Sequence, residues 1–163
     1  MPGARTDGAS AVTSLSATIQ RGVEMDHVAA TRHAFALFSA GDIEGFLDGL
    51  AEDFVDHEPV PGIPPTKAGT KEVLTVMRAG FPDMRFDVED ILADGDKVVA
   101  RLHVTGTQTG SFMGIPATGR RIDVAAIDIV RFADDGLAHE HWGVMDVMSI
   151  MQQLGVVPEG MPG

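Results

Sequence analysis

The stretch IDIVRFADDGLAHEHWGVMD, residues 127–146, alternates side chains with period 2 on either side of Ala133-Asp134-Asp135-Gly136. Two such runs joined by an Asp-Asp-Gly turn predict an antiparallel hairpin. Pairing Phe132 with Leu137 across the turn sets Val130 against His139, Asp128 against His141 and Ala126 against Gly143, all on one side of the sheet. Ile127, Ile129, Arg131, Ala138, Glu140 and Trp142 fall on the other. Directly opposed residues have Cβ atoms about 5 Å apart. A carboxylate at 128 and an imidazole at 141 would then couple their protonation.

Working outward, the same alternation recurs upstream. Met84, Phe86 and Val88 alternate with Arg85, Asp87 and Glu89, predicting a half-buried strand over 84–91. A turn at 93–96 leads into a second strand over 97–106, and the Gly-rich segment GTQTGSFMGIPATGRR leads into a third from about Ile122. Before the strands the pattern is helical. Residues 27–40 form a helix stopped by Gly41, Asp42 caps a second through Leu50, and Gly69-Thr70 opens a third that ends before Phe81-Pro82. Phe54–His57 is a short extended piece ahead of a Pro-rich loop, and Asp146 caps a last helix through Gln153. Helices first and antiparallel strands after predict an α+β domain, its helices on one face of a curved mixed or antiparallel sheet. Such a sheet makes a cone whose mouth suits a small ligand. The domain spans 26–156, with 1–25 read as a mobile N-terminal tail and 157–163 as a loose C-terminal one.

With 12 basic and 24 acidic residues the net charge is −12, which repels nucleic-acid phosphates and anionic membranes. No apolar run reaches the roughly 18 residues of a membrane span. The chain has no cysteine, so disulfides, thiolate metal sites and cysteine nucleophiles are excluded. The first 25 residues lack the apolar run of a secretory leader, and the expected compartment is the cytoplasm.

Several motifs carry a resemblance. They are Asp53-Phe54-Val55-Asp56-His57, Phe81-Pro82-Asp83, Gly106-Thr107-Gln108-Thr109-Gly110 and the run from Phe112 to Arg120. Ile127-Asp128-Ile129, Glu140-His141-Trp142-Gly143 and Gln152-Gln153-Leu154-Gly155 complete the set. Over residues 27–156 the chain resembles the SnoaL-like polyketide cyclases, also called ester cyclases. The resemblance implies the nuclear transport factor 2-like (cystatin-like) cone, and a ring-closing intramolecular aldol reaction run without metal or cofactor. Relatives on that fold hydroxylate, dehydrate, isomerise or open epoxides. It also aligns Gly143 with the carboxylate of the aromatic polyketide cyclases, and Asp128 with one of their histidines.

Abstracting a proton next to a carbonyl needs a base in a dry pocket and a donor for the developing enolate. Asp128 and His141 can divide those roles, with Asp128 either orienting the imidazole or acting as the base. The bland alternative is a polar pair on a wet sheet face. Asp56 and His57 are the second catalytic candidates, beside a loop at the mouth, against a turn aspartate with a surface histidine. Substrate-binding candidates are Phe81, Phe86, Phe112, Met113 and Trp142, with His103, His139 and Asp146 as polar ones. Ordinary readings compete for each: core for the large apolar residues, surface for His103 and a helix cap for Asp146. His139 and His141 share a strand face at spacing 2, which raises a metal site as an alternative. The expected protein is a cofactor-free, metal-free acid–base enzyme for a hydrophobic small molecule, dimeric through the sheet face bearing Trp142. A non-catalytic ligand-binding or scaffold protein is the rival reading.

Overall fold

The computed structural model describes residues 8–157. The first element, α1 (Gly8–Ala40), is 33 residues long. His27, Thr31, Phe35 and Phe38 recur at helical spacing and are buried against the sheet. Gly41, at φ +89°, ends the helix where a side chain would be strained. Asp42 then caps α2 (Ile43–Asp48), its carboxylate accepting from the Gly45 N–H at 2.8 Å.

The strands and remaining helices follow as β1 (Leu50–Asp56), α3 (Lys67–Gly80), β2 (Arg85–Asp94), β3 (Lys97–Thr107), β4 (Arg121–Phe132), β5 (Ala138–Met145) and α4 (Val147–Gln153). The sheet order is β1-β5-β4-β3-β2, with β1 parallel to β5 and every other pair antiparallel. Alternate residues of the central strands, including Val98, Ala100, Leu102 and Val104 on β3, are almost fully buried. Ala100, Leu102 and Val104, with Ile122, Val124 and Ala126 of β4, pack against Phe35, Phe38 and Leu74 from the helices, while Val98 packs with Leu47, Leu50, Phe54 and Phe132. Truncating a ring as buried as Phe38 to alanine costs roughly 3–5 kcal/mol. The intervening positions look outward: Val99 and Ile127 are exposed. This is the α+β cone that the alternation and the element order predict. Among the described residues no helix is long and apolar enough to cross a membrane.

Several expectations need correction. Residues 8–24, expected as an irregular tail, are helical. They contain no proline, and extending a helix already nucleated by its packed half is cheap. Side chains 16–23 are exposed, in keeping with the missing apolar stripe, and the Glu24 carboxylate reaches back to the Gly95 N–H at 3.2 Å. The tail expectations for 1–7 and 158–163 lie outside the described residues. The strand read at 54–57 begins at Leu50, because Leu50 already pairs with Ala138 of β5. The third helix starts at Lys67, two residues early, with Thr66 as its cap.

The register of the quoted hairpin also differs. Phe132 pairs with Ala138, then a bulge takes up His139, so that Val130 opposes His141 and Asp128 opposes Gly143. A longer turn and the bulge together shift the pairing by two. Because the side-chain period is also two, Asp128, Val130, His141 and Gly143 keep the face assigned to them. Ala138 does not: as Phe132's partner it is buried on the inner face.

Candidate active site

The parallel pairing of β1 with β5 sets Val55 beside Glu140 and Asp56 beside His141. The His57 N–H donates to the His141 carbonyl at 2.8 Å and locks that register. On its other edge β5 runs antiparallel to β4. His141 therefore stands between two carboxylates from different strands. Its Nδ1 lies 3.0 Å from Asp56 Oδ1, and its Nε2 lies 3.5 Å from Asp128 Oδ1. All three side chains are mostly buried, between 17% and 27% exposed.

Gly143 makes this array possible. A Cβ at that position would fall 2.7 Å from Asp128 Oδ1 and 2.7–2.8 Å from Cε1 and Nε2 of His141. The carboxylate and the imidazole occupy the volume a side chain would need. Directly opposite Asp128 in the ladder, the chain has room for its carboxylate only because position 143 has none.

The electrostatics follow from the company His141 keeps. Burial alone would pull its pKa down, but hydrogen bonds and charges from Asp128 and Asp56 outweigh that and push it up to about 9. At neutral pH the ring is an imidazolium, donating from Nδ1 to Asp56 and turning Nε2–H toward Asp128 at ion-pair distance. Burial likewise works to raise Asp56, yet the hydrogen bonds from His141 and the Glu58 N–H, with the charge of His141, hold its carboxyl below the usual range.

The array faces a cavity of about 270 Å³. Phe35 and Phe38 of α1, Phe54 of β1, Leu74 and Met77 of α3, Phe86 of β2 and Phe132 of β4 give it apolar walls. Asp56, Asp128, His141, Gly143 and, toward solvent, Glu58 supply polar edges. A carboxylate base beside an imidazolium donor in apolar surroundings can take a proton from carbon and stabilise the oxyanion that results.

Of the residues singled out in the sequence, the structure brings together Asp128, His141, Asp56 and Phe86 around this cavity. The others lie elsewhere. His57 follows Asp56 on an extended segment and so points to the opposite side. There its Nε2 is 2.7 Å from Glu140 Oε2 and its ring stacks on Trp142 at 4.4 Å. Trp142 is thus on the convex face, by the parity that separates it from His141. His139, displaced by the bulge, sits between Asp53 (3.1 Å) and Asp135 (3.0 Å) at the end of the hairpin. Each of the two histidines raised as metal ligands has its ring nitrogens against its own pair of aspartates. His103 pairs with Asp123 at 2.6 Å on the outer surface. Asp146 caps α4 through the Ser149 N–H at 2.9 Å and hydroxyl at 2.7 Å. Phe81 is wholly buried core with Phe112 edge-on at 5.1 Å, and Met113 is exposed, all away from the cavity wall.

Sequence reasoning missed most of the wall. Phe54 stands two before Asp56 and shares its strand face, a signal that was available. Phe35, Phe38 and Phe132 read as ordinary core, because an apolar side chain lining a void has the same periodicity as one in a filled core. Glu58 lies beyond the strand, where alternation stops being informative.

The family model for SnoaL-like polyketide cyclases matches residues 26–154. Solved structures share the nuclear transport factor 2-like cone. TsrD from Streptomyces laurentii is 30% identical, with 82% of this chain and 97% of that one covered and a TM-score of 0.74. IdmH from Streptomyces antibioticus, a candidate polyketide cyclase, is 32% identical over 79% of this chain and 98% of its own, with a TM-score of 0.70. AclR from Streptomyces galilaeus, a candidate hydroxylase, is 27% identical over 85% and 86%, with a TM-score of 0.75. Comparison with curated protein sequences gives no match.

Proposed function

The chain belongs to the SnoaL-like polyketide cyclase family, and from that membership we propose that it is an acid–base enzyme closing a ring in a hydrophobic carbonyl compound. The observation that carries the proposal is the Asp56–His141–Asp128 array on the wall of the apolar cavity. In this reading Asp128 takes a proton from a carbon next to a carbonyl. The carbonyl oxygen, as it gains charge, accepts a hydrogen bond from His141 Nε2–H. The loose 3.5 Å contact to Asp128 leaves that proton available. Asp56 holds the ring charged and oriented through Nδ1. The carbanionic carbon then bonds to a second carbonyl of the same molecule, and the new alkoxide takes the proton held by Asp128. One C–H bond and one C=O π bond are lost, one C–C and one O–H bond are formed, and no cofactor enters.

An isomerase or a dehydratase would share the first step and differ in product. The likeness to AclR favours a hydroxylase as the second reading. We also propose a homodimer through the convex face, where Leu92, Val99 and Ile127 are exposed around Trp142 and its neighbours. Sedimentation as a monomer at micromolar concentration would overturn that assembly.

The catalytic reading is tested by deuterium incorporation at the α-carbon of an aromatic β-keto ester in heavy water, followed by proton NMR. Wild-type protein should accelerate exchange, and Asp128→Asn should abolish the acceleration. Equal exchange by both proteins, or binding of the ester with no exchange, would leave a binding protein instead.

A further inference from the structure

The cavity has a charge as well as a shape. Its six phenylalanines, Phe35, Phe38, Phe46, Phe54, Phe86 and Phe132, make it apolar. The charged groups on its lining are Asp56, Glu58, Asp128 and His141, and among the described residues no lysine or arginine lines it. Three carboxylates against one imidazole leave the cavity negative whichever form the imidazole takes. Asp56 and Asp128 both have His141 beside them. Glu58 does not. Its N–H donates to Asp56 Oδ1 at 3.0 Å, while its exposed carboxylate has no hydrogen bond or ion pair among the described residues.

An anion entering this space would give up water for apolar walls, which strengthen repulsion, and would meet three carboxylates against the one imidazolium of His141, already flanked by Asp56 and Asp128. The net charge of −12 adds a field that opposes its approach. An uncharged molecule has neither cost. A cation gains from both the carboxylates and the ring faces.

We propose that the cavity is a charge filter, admitting uncharged or cationic hydrophobic molecules and turning away carboxylates, sulfonates and phosphates, with Glu58 at the mouth setting the discrimination. The inference rests on reading this cavity as the substrate site, and it narrows the substrate to compounds whose inserted part carries no free acid.

Two fluorescent probes with one ring skeleton test it. N-phenyl-1-naphthylamine is neutral, and 8-anilino-1-naphthalenesulfonate differs from it only by a sulfonate. At low ionic strength the neutral probe should bind at least about tenfold more tightly, a difference of about 1.4 kcal/mol or more. Added salt should narrow that ratio. Glu58→Gln, at an exposed position, should narrow it severalfold, chiefly by tightening the sulfonate. Val73→Trp, which fills the cavity from α3, should weaken both probes. Tight binding of the sulfonate, an unaltered ratio in Glu58→Gln, failure of the neutral probe to bind, or a signal that survives Val73→Trp would each overturn the filter. These are binding measurements. Equal affinities with Asp128-dependent exchange intact would remove the filter alone, whereas strong discrimination without exchange would remove the base alone.

Discussion

Strands β1 and β5 carry two acid–imidazole pairs, one on each face, built from neighbouring residues. Asp56 meets His141 inside the cone; one step along, His57 meets Glu140 outside. The distances are similar, 3.0 Å and 2.7 Å, but the surroundings are not. Outside, the carboxylate is already balanced by Arg131, whose Nε is 2.5 Å from Glu140 Oε1, and the imidazole is stacked on Trp142. Hydrogen bonds from His57 and Arg131 hold the Glu140 carboxyl below the usual range. Inside, no arginine lines the cavity among the described residues. A second carboxylate, Asp128, competes for the same imidazolium, and the walls are phenylalanine. An acid–imidazole pair is thus a structural link where charge is balanced and wet, and a reactive centre where a carboxylate is left over in a dry space.

The largest expected effect separates the two faces directly. Asp128→Asn should cut α-proton exchange by about 10²–10⁴-fold, the usual worth of a positioned base. Glu140→Gln on the outer face should leave the rate within a factor of a few. A comparable loss in both would break the distinction.

The next effect is on stability, and its sign follows from His141. Its folded pKa of about 9 lies above the ordinary 6.5, so the folded state holds the proton more tightly. The contribution is fully present below about pH 6.5 and is lost as pH rises from there through 9. A rise from 6.5 to about 9 corresponds to stabilisation on the order of 3 kcal/mol. Urea denaturation at pH 6 and pH 10 should show this difference in wild type and not in His141→Gln, while His57→Gln should retain it. The exchange rate should fall as pH rises through about 9, because the oxyanion loses its charged donor.

Gly143→Ala probes the packing that lets the inner pair exist. Its methyl would overlap Asp128 and His141, so the pair must part. We expect a loss of about 1–3 kcal/mol in stability and roughly tenfold in exchange. Unchanged kinetics would mean the contact is dispensable. The smallest effect belongs to the outer face: Arg131→Gln should change stability by less than about 1 kcal/mol, as a partly exposed ion pair does, with exchange unaffected.

How much of this was legible before folding differs from element to element. Alternation along 127–132 and 139–145 was enough to place Asp128 and His141 on one face and Trp142 on the other, and the observed two-residue slip preserved that. It could not name the partner across the ladder. Turn length and the bulge at His139 decide it, and neither leaves a periodic trace in the chain. The motif Asp53–His57 marked Asp56 and His57 as candidates but not which of them faces the cavity. Helix periodicity found α1 only where it is buried, since residues 8–24 are helical by propagation rather than by an apolar face.

By itself, then, the sequence determined the element types from residue 27 onward, the faces of the central strands apart from Ala138, the α+β class and the family. These depend on local spacing and on residue identity, which are written along the chain. Only the tertiary structure decided that Asp56, 85 residues away, would complete the His141 array, that Gly143 would make room for Asp128, and that six phenylalanines would surround a void instead of filling it. Those outcomes depend on which strand edges meet and how far apart helix and sheet settle. Both are set by the packing of the whole domain, and no segment carries that information alone.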